Sequence, residues 1–90
     1  MIRIQIPGQL QQYCSGAKEI SSVAKDIQGV FEDLENRFPA LYGCVCDEGG
    51  NVRRHVNVFI NTTHLRECNG MSTSLNAGDV VFILPAVSGG

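Results

Sequence analysis

Hydrophobic and polar residues alternate along three segments of the chain, and this period-two pattern is typical of half-buried β-strands. The first segment covers 2–6, and a weaker one over 19–23 would pair with it as a hairpin. The third covers roughly 55–61. A fourth segment, Val80–Leu84, is apolar throughout and ends at Pro85, so its length suits only a strand. Because its apolarity is nearly unbroken, we expect it in the centre of the sheet, parallel to the first strand.

Between the second and third strands the apolar spacing changes to that of a helix. The apolar stripe consists of Ile27, Val30, Phe31, Leu34 and Phe38. Asp26 can cap the first turn with its carboxylate, and Arg37 suits the negative end of the helix dipole. Pro39 is expected to stop the helix, because the residue before a proline avoids the helical conformation. A short link at 40–43 and a brief strand at Cys44–Cys46 would follow.

The order of these elements predicts an α+β fold, in which a mixed sheet carries one main helix on one face. Turn-forming residues fill 47–51, and the polar, broken stretch over 62–77 has one apolar anchor, Leu75. With 90 residues there is room for a single core. We therefore expect one domain over 1–84 and a flexible C-terminal tail over 85–90.

Composition and charge argue against several classes of function. The formal net charge of −2 argues against nucleic acid as the main partner, and no apolar run approaches the ~20 residues of a membrane span. No signal peptide precedes the first strand, so we expect a cytoplasmic protein. So small a domain has little room for the deep pocket of an enzyme. Neither His55 nor His64 has a nucleophile or carboxylate at an informative spacing, so we expect no enzyme activity.

The chain has four cysteines, which are Cys14, Cys44, Cys46 and Cys68. In a reducing cytosol we expect free thiols that serve as small buried apolar residues. The pair at 44 and 46 is a C-x-C rather than the C-x-x-C of redox and zinc sites, and the histidines lack zinc-finger spacing. We expect no bound metal, and a metal or redox role stays open as the alternative.

The last six residues, Pro85–Gly90, end in two glycines. Fully extended, such an arm reaches about 20 Å beyond the folded body. Its tip has no side chains, so it could thread a narrow channel and present only its α-carboxylate. A frayed terminus without a role is the alternative.

The chain resembles the MoaD/ThiS family of ubiquitin-like sulfur carriers over essentially its whole length. The segments that carry the resemblance are Arg37–Leu41, Arg53–Asn61, Asn76–Asp79 and Asp79–Gly90. It is similar to the cysteine-biosynthesis type, whose tails also combine a Pro-Ala-like exit with Gly-Gly. The small subunit of molybdopterin synthase has a similar tail, often with a second proline where Ala86 stands. The resemblance implies a β-grasp, ubiquitin-like fold, which agrees with the predicted order of elements.

The resemblance also implies a chemical role for the C-terminal carboxylate. An E1-like adenylating enzyme would activate Gly90 with ATP and Mg²⁺, and a sulfide or persulfide would displace AMP to leave a thiocarboxylate. Gly89 would be the spacer that fits the enzyme's channel. A downstream synthase would accept the sulfur, first for cysteine or a related metabolite and second for molybdopterin. A tail-cleaving metalloprotease would be a third partner, and the chain itself would bind no cofactor.

A carrier needs a docking surface, and period-two alternation supplies a candidate. If Val81 and Ile83 face the helix, their neighbours point outward together with a phenylalanine of the adjacent strand. The predicted partner-binding residues are Phe59, Val80, Phe82, Leu84, Pro85, Val87 and Ser88. Exposed apolar patches mark partner sites, although swapped faces or a covering loop would remove this one. Arg53 and Arg54 could steer a partner electrostatically or simply form a solvated turn.

Two other functions compete with the carrier. In the first, Gly90 is joined to lysines of other proteins, as in ubiquitin-like tagging. Both the sulfur carrier and the protein tag would first be adenylated, and they would differ in the molecule that then accepts sulfur or the chain itself. In the second, the chain is a plain β-grasp binding module whose terminal glycines are incidental, and removal of Gly90 would leave its activity intact.

Overall fold

The computed structural model describes residues 1–85. Over this range the chain forms one five-stranded sheet, two α-helices and three short 3₁₀ helices. The strands are β1 (Ile2–Gln5), β2 (Glu19–Ser22), β3 (Val56–Ile60), β4 (Thr63–His64) and β5 (Val80–Pro85), and the helices are α1 (Ile27–Arg37) and α2 (Pro39–Val45). The α+β class predicted from the sequence is therefore confirmed.

The sheet has the strand order β2-β1-β5-β3-β4. β1 and β2 form the predicted antiparallel hairpin, with Ile4 opposite Ile20. β5 lies in the centre, parallel to β1 and antiparallel to β3. Val81 and Ile83 on β5 have no exposed surface, which explains why this strand is almost entirely apolar. The predicted central, parallel position of β5 is confirmed.

Helix α1 packs its apolar stripe into the core, as predicted. Ile27, Val30 and Leu34 are completely buried. At the N-terminus the Asp26 carboxylate accepts a hydrogen bond from the Gly29 amide nitrogen at 2.7 Å. This contact satisfies one of the backbone donors that the first turn leaves without a partner. The helix ends at Arg37, whose guanidinium also donates to the Ser21 carbonyl oxygen of β2.

The segment after α1 is a second helix, so the predicted link at 40–43 and strand at Cys44–Cys46 were wrong. Pro39 ends one helix and occupies the first turn of the next, where its missing N–H costs nothing. Leu41 and Val45 are four residues apart, lie on one face of α2 and are fully buried. Within the predicted strand, only Cys46 has extended backbone, and it forms an isolated β-bridge to Val52.

Two strand ends differ from the sequence expectation. β2 ends at Ser22, whose buried side chain faces the core, and Val23, the last residue of the expected strand, lies outside it and is 79% exposed. β5 extends through Pro85, which was expected to be the first residue of the tail. Proline is tolerated there because a strand's last residue need not donate to the ladder.

The polar stretch over 62–77 contains β4 and two 3₁₀ turns, Leu65–Glu67 and Gly70–Ser72. It has two buried anchors, because Leu65 is buried as well as the predicted Leu75. No helix in residues 1–85 is long and apolar enough to cross a membrane.

Candidate functional site

The root of the tail is fixed by the last register pair of the central strand. Pro85 of β5 lies opposite Val56 of β3. The chain therefore leaves the body where β3 begins, beside the turn that carries Arg53 and Arg54. The predicted site residues Val87, Ser88, Gly89 and Gly90 lie outside the described residues.

The outer face of β3 and β5 carries four of the predicted apolar residues, which we call the sheet patch. The sheet patch consists of Phe59, Val80, Phe82 and Leu84. All four retain exposed surface, and Leu84 is the most exposed at 43%. The two completely buried residues of β5 alternate with them, which confirms the predicted assignment of inner and outer faces. Pro85, which was also predicted to bind a partner, lies on the opposite face, because it is the register partner of the buried Val56 and follows the buried Ile83 by two residues.

The centre of the sheet patch is a shallow groove of about 280 Å³. Phe59 and Phe82 are register partners, and they line the groove with Leu84. Asn61 and Thr62 close its far end. Val80 shares the outer face but does not line the groove. The apolar surface near the root is therefore narrower than the sequence implied.

The neighbouring strands make the other half of the outer face polar. Gln5 of β1 donates a hydrogen bond to the Glu19 carboxylate of β2 at 2.6 Å. Arg3 lies 3.9 Å from the same carboxylate. The outer face thus combines an apolar half over β3 and β5 with a polar half over β1 and β2. Such a surface gives a docked partner a defined orientation, because a rotated partner would bury unpaired charges.

His64 of β4 borders the sheet patch and was not predicted as part of the site. Its ring packs edge-on against Phe59, with the centroids 5.0 Å apart. The Nδ1 atom accepts a hydrogen bond from the Arg66 amide nitrogen, so Nε2 carries the proton and donates to the Asn57 Oδ1 atom. Both ring nitrogens are engaged, which suits a positioning role better than proton transfer. No spacing in the sequence indicated this contact.

A second cleft, with a volume of about 490 Å³, lies beside the tail root. We call it the arginine cleft, because Arg53, Arg54 and Arg66 line it. Its apolar base includes Val56 and Met71. The pair at 53 and 54 was noted in the sequence, but the third arginine stands alone in a polar stretch. Only the folding of residues 62–77 against β3 brings the three together.

The cysteines form no metal or redox centre within the described part of the chain. All four are free, and residues 1–85 contain no cluster of three potential metal ligands. Cys14 and Cys46 are buried as predicted, whereas Cys44 and Cys68 are half-buried. Burial, and next the Asp47 carboxylate, raises the pKa of Cys46 to about 11. Burial and the neighbouring Cys46 thiol also raise the pKa of Tyr42. A thiol with so high a pKa stays protonated near neutrality and is a poor nucleophile.

Known proteins resemble this chain over nearly its full length. The sequence is 32% identical over 91 residues to the sulfur carrier protein CysO of Mycobacterium tuberculosis, covering 99% of this chain and 98% of the relative. The chain superposes on the crystal structure of the BexX/CysO complex of Amycolatopsis orientalis with a TM-score of 0.89 and 27% identity, covering 100% of both chains. It superposes on small archaeal modifier protein 1 of Methanosarcina acetivorans with a TM-score of 0.84 and 25% identity, covering 99% and 95%.

These similarities confirm the β-grasp, ubiquitin-like fold that the sequence resemblance implied. The carriers among these relatives are small proteins of the same length rather than enzymes, in agreement with the expectation that this chain is not an enzyme. The match to the ThiS family extends over residues 4–90 and so includes the Gly-Gly end. The chain belongs to the ThiS family of ubiquitin-like sulfur carriers.

Proposed function

We propose that the C-terminal Gly90 of this chain is adenylated by a partner enzyme and converted to a thiocarboxylate that donates sulfur in biosynthesis. The observation that carries the proposal is the extent of the family match, which runs from residue 4 to residue 90. A family match confined to the folded body would support the fold alone, whereas a match that includes the terminus also supports a role for Gly90. Gly89 is the spacer that lets the terminus enter a narrow channel.

The chemistry needs a partner because a carboxylate repels nucleophiles. In the first step the Gly90 carboxylate attacks the α-phosphorus of ATP and releases pyrophosphate, with Mg²⁺ bound by the partner. Hydrosulfide then attacks the acyl carbon, AMP leaves, and a proton is released. If the donor is a persulfide, the acyl disulfide that forms requires a thiol reductant to yield the thiocarboxylate. No side chain of this protein acts as acid, base or metal ligand in these steps, and it binds no cofactor.

The sheet patch is the proposed docking surface for these partners. Phe59, Phe82 and Leu84 form an apolar groove on the strand that leads to the tail, so a protein seated there is close to the arm. The partner would recognise the arm through contacts with Pro85, Val87 and Ser88 as the arm enters it. The CysO of Amycolatopsis orientalis forms a complex with BexX, which supports docking of a chain of this shape on a separate protein.

The proposed partners are an E1-like adenylating enzyme, a downstream sulfur-accepting synthase and a tail-cleaving metalloprotease. The similarity to CysO supports cysteine or a related sulfur metabolite as the product, with molybdopterin second. A cytoplasmic location fits a cycle that consumes ATP and reduced sulfur.

The direct test is the intact mass of the chain after incubation with ATP, Mg²⁺, a sulfide donor and an adenylating enzyme of the ThiS type. We expect a mass increase that corresponds to one oxygen replaced by one sulfur. The matched controls omit ATP or use a chain that lacks Gly90, and both should leave the mass unchanged. If several such enzymes leave the wild-type mass unaltered, the carrier proposal is rejected.

A second candidate function is protein tagging through an isopeptide bond from Gly90 to lysine. The observation in its favour is the similarity to a small archaeal modifier protein over almost the whole chain. Tagging also begins with adenylation, so the intact-mass test does not separate the two. Lysine residues that carry the C-terminal peptide of this chain in digests of cell extract would support tagging. A free thiocarboxylated chain without such adducts would support the carrier.

A further inference from the structure

We propose that the arginine cleft binds an acidic, partly apolar segment of the adenylating enzyme beside the root of the tail. This inference rests on the proposed function, because it assigns a second contact surface to the first partner in that cycle. The sheet patch and the arginine cleft would then hold the enzyme from two sides of β3.

The charge of the cleft is distinct from that of the rest of the protein. Three of the seven cationic side chains line it, and none of the nine acidic residues does. The net charge of the whole chain is nevertheless −2. A long polyanion such as RNA would meet overall repulsion, whereas a short acidic segment experiences mainly the local positive potential.

The arginines are available for an incoming carboxylate. Within residues 1–85 the ion pairs involve Arg3 and Arg37, and neither Arg54 nor Arg66 is paired with a carboxylate. Arg53 donates from Nε to the Gly43 carbonyl oxygen at 2.9 Å, which holds its side chain against α2. That contact uses one of the five N–H donors of a guanidinium, so four remain for a ligand.

The apolar base of the cleft favours a peptide over a small inorganic anion. Val52, Val56 and Met71 line the base, and a phosphate bound by the arginines would leave this apolar surface without a partner. A segment that alternates acidic and apolar side chains satisfies both the arginines and the base. The volume of about 490 Å³ accommodates a few side chains but not a folded element.

The position of the cleft connects it to the arm. Val56 lines the cleft and is also the register partner of Pro85, the last residue of β5. A segment bound in the cleft therefore lies beside the point from which the tail departs. Binding there would orient the arm toward the adenylation site and raise the encounter rate through charge attraction.

The test compares two double variants with the same change of charge. Arg54→Glu with Arg66→Glu alters the cleft, whereas Lys18→Glu with Lys25→Glu alters exposed residues elsewhere on the body. For the adenylating enzyme we expect KM for the cleft variant to rise at least about tenfold with kcat retained, and KM for the control to change less than about twofold. Equal KM values for the two variants would overturn the proposal. Urea midpoints of both variants exclude misfolding as the cause.

A binding measurement separates this inference from the proposed function. A short fluorescein-labelled peptide that alternates glutamate with leucine should bind the wild type and the lysine control, and bind the cleft variant at least about tenfold more weakly. Equal binding of a matched peptide with glutamine in place of glutamate would overturn the cleft proposal. If the peptide binds as expected but no enzyme adenylates the wild type, the proposed function fails and the cleft remains an acidic-peptide site.

Discussion

The side chains of Asn61 and Asp79 are joined by a hydrogen bond of 3.2 Å across the junction between β3 and β5. The Asn61 Oδ1 atom also accepts a hydrogen bond from the Val80 amide nitrogen at 3.0 Å. On the other side, the Asp79 carboxylate accepts one from the Asn76 amide nitrogen. This small network fixes where the central strand begins, and hence the register that carries Phe82 and Leu84 to the outer face.

Replacement of Asn61 should therefore destabilise the whole sheet. Asn61 has a φ of 54°, a left-handed conformation that asparagine adopts more readily than alanine. We expect Asn61→Ala to lower the free energy of unfolding by about 2 kcal/mol, because it removes two hydrogen bonds and adds backbone strain. Urea denaturation provides the measurement. The neighbouring Thr62→Ala serves as the control, and a loss as large as that of Asn61→Ala would refute the role of the network.

The sheet patch predicts a second, functional effect that leaves stability intact. Leu84 is exposed and lines the groove near the tail root. Leu84→Ser should raise KM of the adenylating enzyme for this chain by about tenfold, since buried apolar anchors carry much of the energy of an interface. The urea midpoint should change little, because the side chain is already in contact with water.

The matched control for that variant is Val23→Ser. Val23 is the more exposed of the two at 79% and lies at the end of β2, away from the sheet patch. The Val23→Ser variant loses an apolar side chain of comparable size that does not line the groove. An equal effect of the two substitutions on KM would show that general surface polarity, rather than the sheet patch, governs recognition.

Most of the fold could be predicted because its main elements carry long, regular apolar patterns. β1, β3, β5 and α1 each present at least two buried residues at the period of their own geometry. α2 was not predicted, because it has seven residues with only two buried positions and is too short to show a helical period. Pro39 was also interpreted only as a stop, although proline suits the first turn of a helix equally well.

For a related reason, only part of the candidate site could be predicted from the sequence. Phe59, Phe82 and Leu84 lie on strands, so alternation alone predicted their common face. Arg66 and His64 lie in a stretch of turns, where no period connects a residue to its neighbours in space. Their positions depend on how that stretch packs on β3, through the buried Leu65. Tertiary packing, rather than local pattern, therefore determines the arginine cleft.

The cap of α1 provides a third prediction, on helix stability. The Asp26 carboxylate accepts a hydrogen bond of 2.7 Å from the Gly29 amide nitrogen, and its negative charge lies at the positive end of the helix dipole. Asp26→Ala should cost about 1 kcal/mol of unfolding free energy, whereas Asp26→Asn should retain most of it. Asp33→Ala removes a carboxylate from the same helix, where it forms an exposed pair with Arg37 at 3.0 Å. That control should cost less than about 0.5 kcal/mol, as exposed pairs usually do, and thermal unfolding compares the three.

Cys46 gives the protein a predicted loss of stability in alkali. The thiol is 1% exposed, and its burial, followed by the Asp47 carboxylate, raises its pKa from 9.0 to about 11. In the unfolded chain the thiol ionises near its ordinary pKa, so the folded state binds a proton that the unfolded state has released. The corresponding stabilisation is complete below pH 9 and is lost as the pH rises towards 11.

The measurement is the free energy of unfolding from pH 8 to pH 11 in the wild type, Cys46→Ala and Cys44→Ala. Cys46→Ala should flatten the decline above pH 9, because the group that couples proton release to unfolding is gone. Cys44→Ala should keep it, since Cys44 is only half-buried and lies outside the contact with Tyr42. The comparison uses slopes rather than absolute stabilities, so any packing loss in Cys46→Ala does not affect it. Identical slopes in all three proteins would mean that Cys46 ionises as easily in the folded state as in the unfolded chain.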